Sequence, residues 1–193
     1  MLLLETGATS PSSAQQLDLL MPLAFFYGRL ELDLPPLEFL EESALPEPQQ
    51  HLLVHQSDMT PRLHQHHGHA PALTVVTVER TEDYLIREVV LTCEGDPVEY
   101  GAIGIHLEGF PSHVQQMIRE GSSPLGSILE SEGIPHLSAP RGYFALAADE
   151  HMARLLHTVP GTRLYGRSNV LSHSDGTAFA DIVEVLPPGR GGK

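Results

Sequence analysis

Cysteine occurs once in this chain, at Cys93, and lysine once, at Lys193. A single cysteine excludes an intrachain disulfide, which suits a reducing compartment and leads us to expect a cytoplasmic protein. The scarcity of lysine leaves arginine as the working cation, the side chain suited to a forked grip on carboxylates. Positive charge is short overall: 11 Lys+Arg stand against 25 Asp+Glu, a formal net charge of -14. That field repels nucleic acid and anionic membrane, so neither is expected as a partner. Any anionic ligand has to be held by local arginines. No apolar run reaches membrane-spanning length, and Met1-Leu-Leu-Leu is followed by Glu5 without a basic start, so no signal peptide is expected. There is no internal repeat, no Gly-x-Gly-x-x-Gly and no phosphate loop.

What is present fits one domain with a single core: 193 residues, 41% hydrophobic. Residues 7–13 read as a flexible lead-in and Gln15 to Phe26 as a helix. Pro35-Pro36 interrupts the chain after it, and Pro46-Glu-Pro48 opens a short helix through Val54. Residues 1–50 are thus expected to be helical wrapping without sheet, 51–188 the body of the domain, and 189–193 a loose tail. From Ala72 the pattern turns to strands: 73–79, 84–92, 98–107, 142–147, 163–171 and 177–186. Helices are expected at 110–120, from Pro124, and at 149–157, with Asp149 at the start of the last. About six strands joined mostly by short turns, with helices grouped around them, predict an α+β fold with a largely antiparallel sheet.

Two strands carry a charge on an apolar face. Alternation puts Arg87 with Leu85, Val89 and Leu91, and Glu184 with Ala178, Ala180, Ile182 and Leu186. A guanidinium there needs an anion, either an internal carboxylate or a ligand. An arginine and a glutamate so placed can form the two ends of a small polar site. Cys93, in a turn beside Glu94-Gly95-Asp96-Pro97, has no base motif near it and is not expected to be a nucleophile. His64-Gln-His-His-Gly-His69 concentrates four histidines; such a tract can take zinc or nickel, but it holds no acid or cysteine and reads as a solvated loop, so no metal site is assigned.

The segments His51-Leu-Leu-Val-His-Gln-Ser-Asp-Met-Thr60, Ile86-Arg-Glu-Val-Val-Leu91 with Gly95-Asp-Pro97, Ser123-Pro-Leu-Gly-Ser-Ile-Leu129, Leu164-Tyr-Gly-Arg-Ser168 and Val183-Glu-Val-Leu-Pro187 occur in this order. Together they resemble the chorismate lyase (chorismate–pyruvate lyase) family and its relatives, over roughly Leu52 to Pro188. The resemblance implies an antiparallel sheet of about six strands around a closed ligand cavity. It also implies a cofactor-free elimination of pyruvate from chorismate to give 4-hydroxybenzoate. On this reading Arg87 grips the ring carboxylate, and Glu184 meets the ring hydroxyl or trades a proton. The Leu125 amide helps hold the carboxylate, and Met59 and Arg167 complete the binding site. Alternation puts Arg167 with Arg163, Tyr165 and Asn169, so a solvated arginine is an equal expectation. The spacing after Glu184 is one residue shorter than the family pattern, which leaves Asp181, on the opposite face, as the fallback. Ala102 stands where the classical branch has an arginine after the glycine of the third strand, which opens the way to a related enolpyruvyl acid. A second class of protein with the same fold senses small ligands in bacterial repressors without chemistry. With no helix-turn-helix segment before the sheet and an acidic N-terminus, a repressor is disfavoured, and a stand-alone binding protein stays open beside the lyase.

Overall fold

The computed structural model describes residues 18–189. The lead-in at 7–13, the first turn of the expected N-terminal helix and the end of the tail lie outside the described residues. The elements are α1 (Met21–Arg29), β1 (Leu37–Leu40), a 3-10 turn (Glu42–Ala44), α2 (Gln49–Leu53), α3 (Met59–His67), β2 (Ala72–Arg80), β3 (Tyr84–Cys93), β4 (Asp96–His106), α4 (Ser112–Glu120), α5 (Leu125–Ser131), β5 (His136–Ala147), α6 (Glu150–Leu155), β6 (Arg163–His173) and β7 (Ala178–Leu186).

The strands form one sheet in the order β1-β5-β6-β7-β4-β3-β2, with every described neighbour antiparallel. This is the α+β architecture expected from the sequence. Helices α1 and α6 cover one face, burying Leu23, Phe26 and Met152 against Tyr100, Ala102, Phe144 and Val183. On the other face α4 and α5 pack Val114, Ile118 and Ile128 over Ile103, Ile105 and Ile182. Beside them α2 and α3 set Leu53, Met59 and Leu63 on Leu91, Val98 and Leu186. Because both faces are covered, β3 and β4 are buried on alternate and intervening residues alike.

Local chemistry explains the joints. Glu94 and Gly95 both take positive φ (52° and 87°), the two-residue turn whose twist matches a hairpin. Asp149 caps α6, its carboxylate accepting from the Met152 amide at 2.7 Å.

Three expectations are corrected. The sheet has seven strands, because Leu37–Leu40, within the segment expected to lack sheet, pairs with Tyr143–Leu146 at the edge. Four residues after a proline pair are too few to display an alternation. Strand β5 begins six residues before the expected 142, running through Pro140 with a bulge between Pro140 and Gly142. Most of the histidine tract is not a loop: residues 64–67 are the last turn of α3, and His69 lies just beyond it. Asp58 stands at its N-cap position, Pro61 falls in its first turn, and Gly68 ends it in the left-handed conformation (φ 75°).

Candidate functional site

Between the sheet and the N-termini of α3 and α5 lies a cavity of about 60 Å³. At about 10–15 Å³ per water that is room for a handful of waters, or one small acid. Its floor is the strand face that alternation assigned to Arg87: Val89 and Leu91 of β3, Gly101 and Ile103 of β4, Ile182 and Glu184 of β7. Its roof is Met59 and Thr60 of α3 against Pro124, Leu125 and Gly126 at the start of α5.

Arg87 is 2% exposed, and its Nε and Nη1 have no hydrogen-bond partner among the described residues. No described carboxylate forms an ion pair with it. Burial, aided by the charge of Arg80, pulls its pKa down to about 10, so it stays cationic at neutral pH. Gly121, the left-handed C-cap of α4, lies beside it; a β-carbon there would stand 3.7 Å from Nη1. The carbonyl end of α4 is therefore near the guanidinium and offsets part of its charge.

At the far end the carboxylates behave differently. Glu184 and Arg167 are cross-strand partners, and Arg167 Nε donates to Glu184 Oε2 in a fully buried ion pair. The remaining guanidinium nitrogens donate to the carbonyls of Leu53 (3.1 Å), His55 (3.1 Å) and Ser57 (3.3 Å). The solvated option for Arg167 is thus corrected. Its face is polar by alternation, but the chain between α2 and α3 closes over it and satisfies it with backbone oxygens. It anchors Glu184 and is not itself part of the cavity lining. His55, whose Nδ1 accepts from the Ser57 amide, is held neutral against this cation; burial, then Arg167, lowers its pKa to about 4.

Glu99 was not singled out in the sequence. It sits on β4 opposite Leu91, buried in the cavity wall, with Oε2 unpartnered among the described residues. Burial first, then the charge of Glu184, raises its pKa well above the carboxylate range, against the pull of Arg167. Burial and the neighbouring charge thus favour the protonated form of Glu99. Arg167 and Glu184 are paired, Asp58 of the lining is paired with His136, and burial favours the neutral form of Glu99, which leaves Arg87 as the cavity's cation without a described ion-pair partner. Alternation applied to Val98-Glu-Tyr-Gly101 carries the signal that would have found it.

A group whose folded pKa lies above its unfolded value favours folding below the unfolded pKa, and that contribution is lost as pH rises through the folded one. Glu99→Gln is therefore expected to stabilise the protein near neutral pH and to give no gain near about pH 4, the ordinary glutamate range. Urea unfolding at the two pH values checks this; equal effects at both would show Glu99 ionised in the fold.

The other candidates fall as follows. Met59 and Leu125 both line the roof. Asp181 faces the opposite side, half-exposed and paired with Arg141 at 3.1 Å. Ala102 is buried in the core under α1, also on the opposite face, so an arginine there would not enter this cavity. Cys93 is buried, its thiol donating to the His69 carbonyl at 3.4 Å; burial, then Glu94, raises its pKa and blunts it as a nucleophile. Among the described residues no three histidines, cysteines or carboxylates gather as a metal site. No helix among them is long and apolar enough to cross a membrane.

No family model matches this chain, and no curated protein matches it. Its fold does match solved structures. PhnF from Mycobacterium smegmatis aligns with a TM-score of 0.54 at 18% identity, over 72% of this chain and 67% of that one. The effector domain of PhnF from the same organism aligns at 0.53 and 18% identity, over 69% and 90%. The ligand-binding domain of a protein assigned to the GntR family of transcriptional regulators, from Bordetella bronchiseptica, aligns at 0.50 and 14%, over 64% and 92%. At these identities the likeness is one of fold, and it fits the chorismate lyase-like architecture.

The lyase expectation is corrected by these matches. One of the aligned structures is the ligand-binding domain of a transcriptional regulator, and another is an effector domain. Chorismate cleavage, and with it the enzyme assignment and the products 4-hydroxybenzoate and pyruvate, is set aside. Glu184, the residue expected to meet the ring hydroxyl or trade a proton, is paired with Arg167.

Proposed function

We propose that this chain is a non-catalytic, cytoplasmic binding domain for a small carboxylic acid, acting as a ligand sensor. One observation carries the reading: Arg87 lines a mostly apolar cavity with Nε and Nη1 unpartnered among the described residues, and none of the carboxylates in that lining pairs with it. A buried arginine left unpaired is costly, and an incoming carboxylate that accepts from this guanidinium removes part of that penalty. In this reading Glu99, protonated, offers a hydrogen-bond donor to the ligand's far end. Glu184 is an acceptor on the same wall, and Met59 and Leu125 cover the ligand's faces. The Leu125 amide is a second contact for the carboxylate. Arg167 supports the site through Glu184. The names borne by the matched structures, ligand-binding domain and effector domain, describe the same kind of role.

The expectation of no nucleic-acid partner is narrowed accordingly. A net charge of -14 makes this chain's own surface unfit for DNA. One of the matched structures comes from a protein assigned as a transcriptional regulator, so transcriptional output, if it is the output here, runs through a separate DNA-binding element.

Thermal denaturation of the full chain with benzoate, 4-hydroxybenzoate and short aliphatic acids, each beside its neutral amide, tests the proposal. At about 100 times Kd a bound acid stabilises by about 2.7 kcal/mol, while the amides are expected to give no shift. Stabilisation by no acid, or equal stabilisation by acid and amide, would remove the reading.

A further inference from the structure

The roof of the cavity is made of two helix starts that meet at a seam. A β-carbon on Gly126 of α5 would come within 3.1 Å of Thr60 Oγ1 and 3.4 Å of Asp58 Cβ, so the absence of a side chain there lets α5 close against α3. Helix α3 is weakly embedded. Of its nine residues only Met59 and Leu63 are buried, and it is flanked by bends at 54–57 and by the left-handed Gly68. An element with so few buried side chains belongs to the least stable part of a fold.

One ion pair fastens this element across the seam to the sheet. His136, the first residue of β5, places Nε2 at 3.0 and 2.9 Å from the two carboxylate oxygens of Asp58, which stands just before α3. Its Nδ1 lies 2.9 Å from the Ile134 carbonyl. A carbonyl and a carboxylate only accept, so both ring nitrogens donate and the ring is the imidazolium. The side chains are 15% and 14% exposed, close enough to solvent to exchange protons with it. The groups facing His136 from packed elements are Asp58, its β6 register partner His173, and the Phe179 ring of β7.

We propose that α3 is a hinged lid on the ligand cavity, and that the Asp58–His136 pair is a proton-controlled latch holding it shut. The proposal rests on the cavity being the ligand site. Loss of the ring proton removes the donor to either Ile134 or Asp58 and cancels the charge attraction. The lid then depends on Met59, Leu63 and the Arg167 contacts to the preceding loop. Burial lowers the His136 pKa, but the Ile134 carbonyl and Asp58 outweigh it, and the balance lies above the usual value. The latch therefore holds at and below about pH 6.5 and releases as pH rises through the folded pKa. Ligand exchange is slow on the acid side and fast on the alkaline side.

Amide hydrogen exchange of the ligand-free full chain, corrected for intrinsic chemical rates, tests this without a ligand. Between about pH 6 and about pH 8.5 the protection of residues 58–67 is expected to fall, as loss of the ring proton breaks the link between Asp58 and the Ile134 carbonyl. In His136→Gln and in Asp58→Asn that segment is expected to exchange at the open rate throughout, with the rest of the sheet unchanged. The Asp58 carboxylate makes no cap hydrogen bond to α3, so the asparagine variant disturbs little else. A flat wild-type profile, or the same slope in both variants, would overturn the latch. Failure of the ligand reading shows separately, in the thermal titration with acids and amides.

Discussion

Arg87→Met is expected to make the ligand-free protein more stable and unable to bind acids. The guanidinium is buried with Nε and Nη1 unpartnered, and an unsatisfied buried polar group costs about 1–3 kcal/mol, more when charged. Methionine keeps most of the aliphatic stem in the cavity wall beside Val89 and removes the charge. A gain of about 1–3 kcal/mol in a chain of this size raises Tm by about 2–4 °C per kcal/mol. The same change deletes the guanidinium that holds the ligand, and losing one partner of a buried charged hydrogen-bonded pair costs about 2–5 kcal/mol of affinity, roughly 30-fold or more. Opposite signs in one variant mark a residue kept for binding at the expense of stability. Thermal melts of wild type and variant, with and without saturating benzoate, read both. If the variant melts lower and still responds to acid, Arg87 is a structural residue and the ligand reading fails. Arg87→Lys separates charge from geometry: it keeps the cation, loses the fork and is expected to fall between the two.

The same alternation that exposed Arg87 also reaches across the sheet. Glu184 and Gly101 are register partners, as are Glu184 and Arg167, so one row of the sheet sets a glycine gap, a carboxylate and its guanidinium side by side. Arg87 and Glu184 were legible because each breaks an otherwise apolar face. Glu99 obeyed the same rule but fell in a short stretch, Val98-Glu-Tyr-Gly, whose glycine hides the alternation. The neighbour of Arg87 in sequence, Glu88, points the other way, accepting from Tyr100 Oη at 2.9 Å and His151 Nε2 at 2.7 Å beneath α6. The charged dipeptide thus serves two separate buried environments. Strand β1 and helix α3 were illegible for opposite reasons. The first is too short to show a period, and the second is so polar that its caps, Asp58 and Gly68, were outweighed by its histidines. The cover over Arg167 comes from residues more than a hundred positions away, and no local pattern encodes such a contact. Function was least legible, because one fold carries both chemistry and sensing, and the resemblance in motifs tracks the fold.

Arg167→Met is expected to be the most destabilising single substitution in the site. It strands Glu184 as an unpaired buried carboxylate next to Glu99, and breaking a buried pair by removing one partner costs about 3–5 kcal/mol. It also takes away the donor to the carbonyls of Leu53, His55 and Ser57, which fix the chain entering α3. Glu184→Leu alone leaves the guanidinium short of its counter-ion but still bonded to those carbonyls, so its loss should be smaller. The double variant Arg167→Met/Glu184→Leu replaces both charges with apolar groups on a face that already carries Ile182 and Leu186. It is expected to recover much of the single-variant loss, since well-packed apolar replacements of buried pairs are often neutral. Urea unfolding around this double-mutant cycle should give a coupling of at least about 2 kcal/mol, within the range for groups in one network. What the double variant cannot restore is the grip on residues 53–57. Its α3 should therefore exchange amides faster than wild type even below about pH 6.5, where the Asp58–His136 latch is closed. Strict additivity in the cycle would mean that Arg167 acts on the backbone loop alone and that Glu184 is free to meet a ligand by itself.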